Sequence, residues 1–181
     1  MEKQVLRIGK DEGEKGYSFD LRRVRVDLFH LLSIFLADEK YSKILKGPED
    51  PLWKLASLGE PEVTRILINS AVVGRVIDDR DNHFLPKQDE FCGTLLKDYN
   101  NGSSAVGLSL REAFNKIIHD SEFHLSIVEP EQEQDFGFLE PTMYFMGELG
   151  GKRWEAQLDV VEYVRKFSQH IDELPKDQTF K

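Results

Sequence analysis

The stretch TMYFMGELGGKRWEAQLDVVEYVRKF, residues 142–167, decides the fold class. Two strand-like runs flank Gly150 and Gly151, a pair suited to the positive-φ positions of a tight hairpin turn. Asp159 followed by Glu162 then gives a capping-box pattern. Behind it Val160, Tyr163, Val164 and Phe167 recur at helical spacing. A hairpin near 142–158 running straight into a helix near 159–171 predicts an α+β fold. It also argues against a parallel-sheet nucleotide fold, whose strands are joined by crossover helices rather than a tight turn.

Working towards the N-terminus, the acidic segment EPEQEQDFGFLEP at 129–141 reads as a solvated loop, and HLSIV before it as a strand. SLREAFNKIIHD, residues 109–120, is a helix: Ser109 and Glu112 make another capping box, and Leu110, Ala113, Phe114 and Ile117 share one face. Residues 80–108 carry little pattern, and YNNGSSAVG at 99–107 reads as a loop. A helix near 60–79 opens on Glu60, Pro61 and Glu62, which suit a first turn. Its face of Val63, Ile66, Leu67, Ser70, Ala71, Gly74 and Ile77 is rich in small residues and predicts close contact with another helix. Leu52–Leu58 around Trp53 predicts a short helix. Leu21, Val24, Leu28, Leu31, Leu32 and Phe35 predict a long helix near 20–40, capped by Ser18 or Asp20. VLRI at 5–8 predicts a short strand.

The expectation is therefore a mainly helical single domain over 1–181 with a C-terminal β-hairpin followed by a helix. The folded core is expected at 17–174, with 1–16 and 175–181 less ordered. Hydrophobic residues make up 40% of the 181, enough for a core, and 33 acids against 24 bases give a net charge of −9. Such a field opposes indiscriminate binding to nucleic acid or anionic membrane. The longest apolar run, LFHLLSIFLA at 28–37, is too short to span a bilayer, which needs about 20 residues. The charged N-terminus lacks an apolar signal segment. A soluble, cytoplasmic chain is expected, and a single cysteine, Cys92, read as a small apolar residue, fits a reducing compartment.

The common chemical motifs are absent: no phosphate loop, no dinucleotide fingerprint, no zinc-binding pairs of His or Cys. No cofactor and no metal are expected. DDRDNH at 78–83 reads as a solvated helix end, and His119 with His124 lacks further ligands for a shared metal. Arg22, Arg23 and Arg25 read as a solvated face paired with nearby acids, and Trp154 as packing.

The candidate site is the stripe Arg111, Asn115, His119 at i, i+4 and i+8. Arginine can hold a phosphate in two places at once, histidine can move protons near neutral pH, and asparagine can orient the imidazole. The plainer reading is a polar helix face. The element LREAFNKIIHD resembles the Arg-polar-x3-His element of HEPN domains, all-helical modules of prokaryotic toxin, antitoxin and defence proteins. Asn115 and His119 match the polar residue and the His, whereas Phe114 stands where the family's Arg would be. The resemblance implies a dimeric, metal-independent ribonuclease. The same stretch together with GELGGKRWEAQLDVVEYVRKF is also similar to small bacterial proteins that imply no activity. Two readings follow. One is an acidic interaction or regulatory protein binding a protein partner, of antitoxin, immunity or defence type, alone or as a homodimer. The alternative is an RNA-cleaving enzyme using Arg111 and His119, with Asn115 orienting.

Overall fold

In the computed structural model, residues 5–8, 17–80, 85, 90–102, 104–130, 136–174 and 179–180 are described. The chain is α+β, built on a five-stranded antiparallel sheet. Its strands are β3 (Phe91–Leu96), β4 (Val106–Ser109), β5 (Glu122–Val128), β6 (Phe138–Leu149) and β7 (Lys152–Asp159), in the order β4-β3-β7-β6-β5. The expected hairpin is β6–β7, with Leu149 opposite Lys152 and Gly150 and Gly151 at φ 61° and 78° in the turn. It does not stand alone, however, and "mainly helical" understates the sheet that forms the frame.

The strands missed in the sequence have physical reasons for being hard to read. β3 carries Gly93 at φ 156°, where an added Cβ would lie 1.9 Å from the Gln157 carbonyl oxygen. The glycine lets β3 approach β7 closely at that point, and it breaks the alternation that marks a strand. β4 has only four residues, two of them within the stretch read as a loop. β6 begins at Phe138 rather than 142 and so takes in the end of the acidic segment. Pro141 is tolerated because the pairing with β5 shifts there: Leu125 faces Met143 while Ile127 faces Leu139.

The helices are α1 (Leu21–Ser42), α2 (Pro51–Ala56), α3 (Gly59–Arg80), α4 (Leu110–Ile118) and α5 (Val160–Glu173). Three of the expected caps form. Asp20 accepts from the N–H groups of Arg22 and Arg23, Ser109 from Glu112 and Asp159 from Glu162. The helical layer covers the sheet face that carries Met143, Phe145, Trp154, Ala156 and Leu158, all buried. On the other face Thr94 and Gln157 are exposed and Tyr144 is half-buried. A second, small sheet joins β1 (Val5–Ile8) to β2 (Tyr17–Asp20) and to β8 (Thr179–Phe180).

The small-residue face of α3 meets α4, as its composition predicts. A Cβ on Gly74 would fall 2.4 Å from the Phe114 ring. Phe114 is fully buried and packs edge-on against Tyr163 (5.9 Å) and Phe167 (5.0 Å) of α5. The Ser70 hydroxyl shares a 2.8 Å hydrogen bond with the Tyr163 hydroxyl, satisfying both groups inside the core. Buried Trp154 lies against Gly147, with the Lys116 ammonium 4.2 Å from its ring centre. Among the described residues no helix is long and apolar enough to cross a membrane.

Candidate functional site

The α4 stripe is a partly exposed face, with Arg111 and His119 exposed and Asn115 half-buried, and α3 borders it at the Arg111 end. α4 runs antiparallel to α3, so Phe114 meets Gly74 in mid-helix and Arg111 meets the α3 C-terminal turn. There Arg111 forms an ion pair with Asp78, whose side chain is 4% exposed, and approaches Asp79 at 3.3 Å. Arg75 reaches the same two acids, 2.8 Å from Asp79 and 4.0 Å from Asp78. Two arginines and two aspartates thus cancel locally. The Arg111 fork is occupied by carboxylates, and a phosphate would have to displace them.

His119 is one residue beyond the helix. It is the C-cap, with φ −114° and ψ 16°, and its side chain is exposed. Its N–H donates to the Asn115 carbonyl at 3.0 Å, so the hydrogen bond between these two residues is main-chain. Eight residues of helix rise separate Arg111 from His119 by about 12 Å along the axis. Asn115, half-buried, sits between them. Within one chain the three side chains do not converge. Phe114, the residue before Asn115, is held in the core against Tyr163 and Phe167.

The other sequence candidates are also placed. Asp78 and Asp79 of DDRDNH serve the arginine network, and residues 81–83 lie outside the described residues. His124 pairs with Glu122 on its own strand at 3.0 Å. Among the described residues no group of three or more His, Cys, Asp or Glu side chains is arranged to hold a metal. Cys92 is buried and its thiol is pushed up to about 12 by that burial. Arg23 and Arg25 meet acids, Asp27 at 3.3 Å and Asp172 at 2.7 Å, whereas Arg22 is exposed.

Two features escaped the sequence reading. Asp27 sits in the apolar stripe of α1 with its side chain 1% exposed, and is met by Arg65 at 2.9 Å and Asn69 at 3.2 Å. This buried carboxylate clamps α1 to α3. A lone acid between Val24 and Leu28 was the available signal.

The second feature is a cleft at the end of the α3–α4 seam, beside β5. It is lined by Thr64, Leu67 and Ile68 of α3, Ile117 of α4, Asp120, Phe123 of β5, and Met143 and Phe145 of β6. Its volume is about 40 Å³, room for a few waters or one small alkyl group. Ile68 on its rim is 49% exposed, and Val72 one turn along is 42% exposed. Asp120 is the single ionisable group, and burial raises its pKa above the ordinary carboxylate value. No sequence pattern marks this cleft, because its residues come from three separate stretches, 64–68, 117–123 and 143–145. What it offers is apolar contact and one poorly solvated carboxyl. It provides neither a nucleophile–base pair nor a set of anion donors.

No protein-family model, curated protein or solved structure matches the chain.

Proposed function

We propose that the protein is an interaction module of the cytoplasm that binds a protein partner through the cleft beside Ile68, Asp120 and Phe123. The antitoxin, immunity or regulatory subunit type fits this role. The observation that carries the reading is an apolar depression with half-exposed Ile68 on its rim and exposed Val72 one turn along α3. A small pocket that takes one side chain, ringed by surface that excludes water, is how a few residues come to dominate a protein interface. A net charge of −9 favours a basic partner. A cation brought to the cleft mouth would draw Asp120 to its ionised form, so binding should release a proton and weaken as pH falls.

The ribonuclease alternative receives less support. Arg111 is neutralised by Asp78 and Asp79, and Phe114 belongs to the core. The deciding experiment is affinity capture from the source cytoplasm with wild type, Ile68→Arg and, as a surface control, Leu149→Arg. Leu149 at the hairpin end is 74% exposed and stands four residues along β6 from Phe145, about 13 Å, outside the cleft lining. The expected result is one protein retained by wild type and Leu149→Arg and lost by Ile68→Arg, with circular dichroism unchanged. Equal capture by all three would refute the cleft as the site. RNA cleavage by pure wild type that disappears in His119→Ala would establish the enzyme instead.

A further inference from the structure

Strand β5 ends the five-stranded sheet, and among the described residues no strand pairs with its outer side. An open edge is a template for another strand, and natural proteins block one with lysine, proline, inward charges or a bulge. Glu122–Val128, EFHLSIV, contains no lysine, arginine or proline, and its one carboxylate is at its first position. The irregularity in its pairing lies on β6, where Met143 to Leu139 spans more residues than Leu125 to Ile127. The extra residues are thus on β6, and β5 carries no lysine, arginine or proline along its outer side.

We propose that β5 pairs antiparallel with β5 of a second copy, centred on Leu125, joining the two sheets into one. This register uses all seven residues of the strand. It sets Leu125 against Leu125 of the second copy and Phe123 against Ile127. These three side chains share the face of β5 that Phe145, Met143 and Leu139 present from β6, so the apolar layer runs on across the joint. Ile127, 60% exposed in the single chain, gains an aromatic neighbour. On the opposite face His124 meets Ser126 and Glu122 meets Val128, so no charge opposes its own kind. A slip of one residue would turn the apolar faces of the two copies to opposite sides of the joined sheet and end the continuous layer. The joint shares Phe123 with the cleft but rests on the open edge of β5 and its register, not on the partner.

The test is the solution mass of the full chain by light scattering, with two variants. Wild type is expected at twice the 20.9 kDa chain mass, more completely at higher salt, which screens the repulsion between two acidic copies. Ile127→Lys places a charge on the apolar side of the edge and is expected to run as a monomer with unchanged circular dichroism. Leu125→Cys is expected to form an intermolecular disulfide on mild oxidation. Facing Cα atoms of an antiparallel pair are about 4.5–5.5 Å apart, within disulfide range, and Cys92 is buried. A wild-type monomer at the highest soluble concentration overturns the proposal. So does a dimer that survives Ile127→Lys and fails to crosslink through Leu125→Cys. A monomer that still captures a partner through Ile68 would overturn the pairing alone; a crosslinked dimer that captures none would leave it standing and remove the partner reading.

Discussion

Replacing Gly74 with alanine sets two well-defined effects against each other. In an exposed helix interior the change stabilises by about 1 kcal/mol, because glycine has more backbone freedom to lose. At Gly74 the new methyl would lie 2.4 Å from the ring carbons of Phe114. That ring has no open side: it is fully buried and abuts Tyr163 and Phe167. Overpacking of this kind costs about 1–3 kcal/mol. Since α4 has to move as a unit to relieve it, the upper part of that range applies. The expected net loss is about 1–2 kcal/mol, or roughly 2–8 °C in Tm for a domain of this size. Urea unfolding of wild type, Gly74→Ala, Phe114→Leu and the double variant gives the coupling directly. With the smaller leucine at 114, the alanine should become neutral or stabilising. A gain in stability from Gly74→Ala alone, or an identical loss in both backgrounds, would show that the α3–α4 contact is not as close as described.

Arg111→Ala should lower unfolding stability by roughly 1–3 kcal/mol, because it strips the buried Asp78 of a charged partner, and Asp78→Asn in the same chain should restore part of the loss. Unchanged stability in Arg111→Ala would contradict the strut role and return the residue to candidacy for chemistry. Asp120 has a folded pKa above its unfolded value, so the folded state binds the extra proton. Stability should therefore fall as pH rises from the ordinary carboxylate range through the raised folded value. Asp120→Asn should remove that loss and melt higher than wild type at neutral pH, with the difference vanishing in acid. A constant difference across the pH range would place the effect elsewhere.

The helices were legible because their signals are local. Asp20, Ser109 and Asp159 each sit one residue before the helix they cap, and the apolar faces behind them repeat at fixed spacing. The β6–β7 hairpin was legible for the same reason, through Gly150 and Gly151. β3 was not, since Gly93 interrupts it and its partner β7 lies far along the chain. The role of Arg111 was equally hidden. One helical stripe holds a strut at Arg111, a half-buried Asn115 and an exposed cap at His119, and only the approach of α3 separates these fates. The cleft gathers Thr64, Asp120 and Met143 from distant parts of the sequence, so no window could have shown it.

The strand order β4-β3-β7-β6-β5 has a kinetic consequence. Three of its four joints link strands that follow one another in the chain: β3 to β4, β5 to β6 and β6 to β7. The fourth, β3 to β7, brings together residues such as Thr94 and Gln157, 63 positions apart. Hairpins close in microseconds, whereas a long loop has to surrender its entropy before any contact rewards it. The speed of folding therefore rests on one encounter, between the β3–β4 pair and the three-stranded meander β5-β6-β7. Until that encounter succeeds, both inner edges of the future sheet stay open to pairing with other chains.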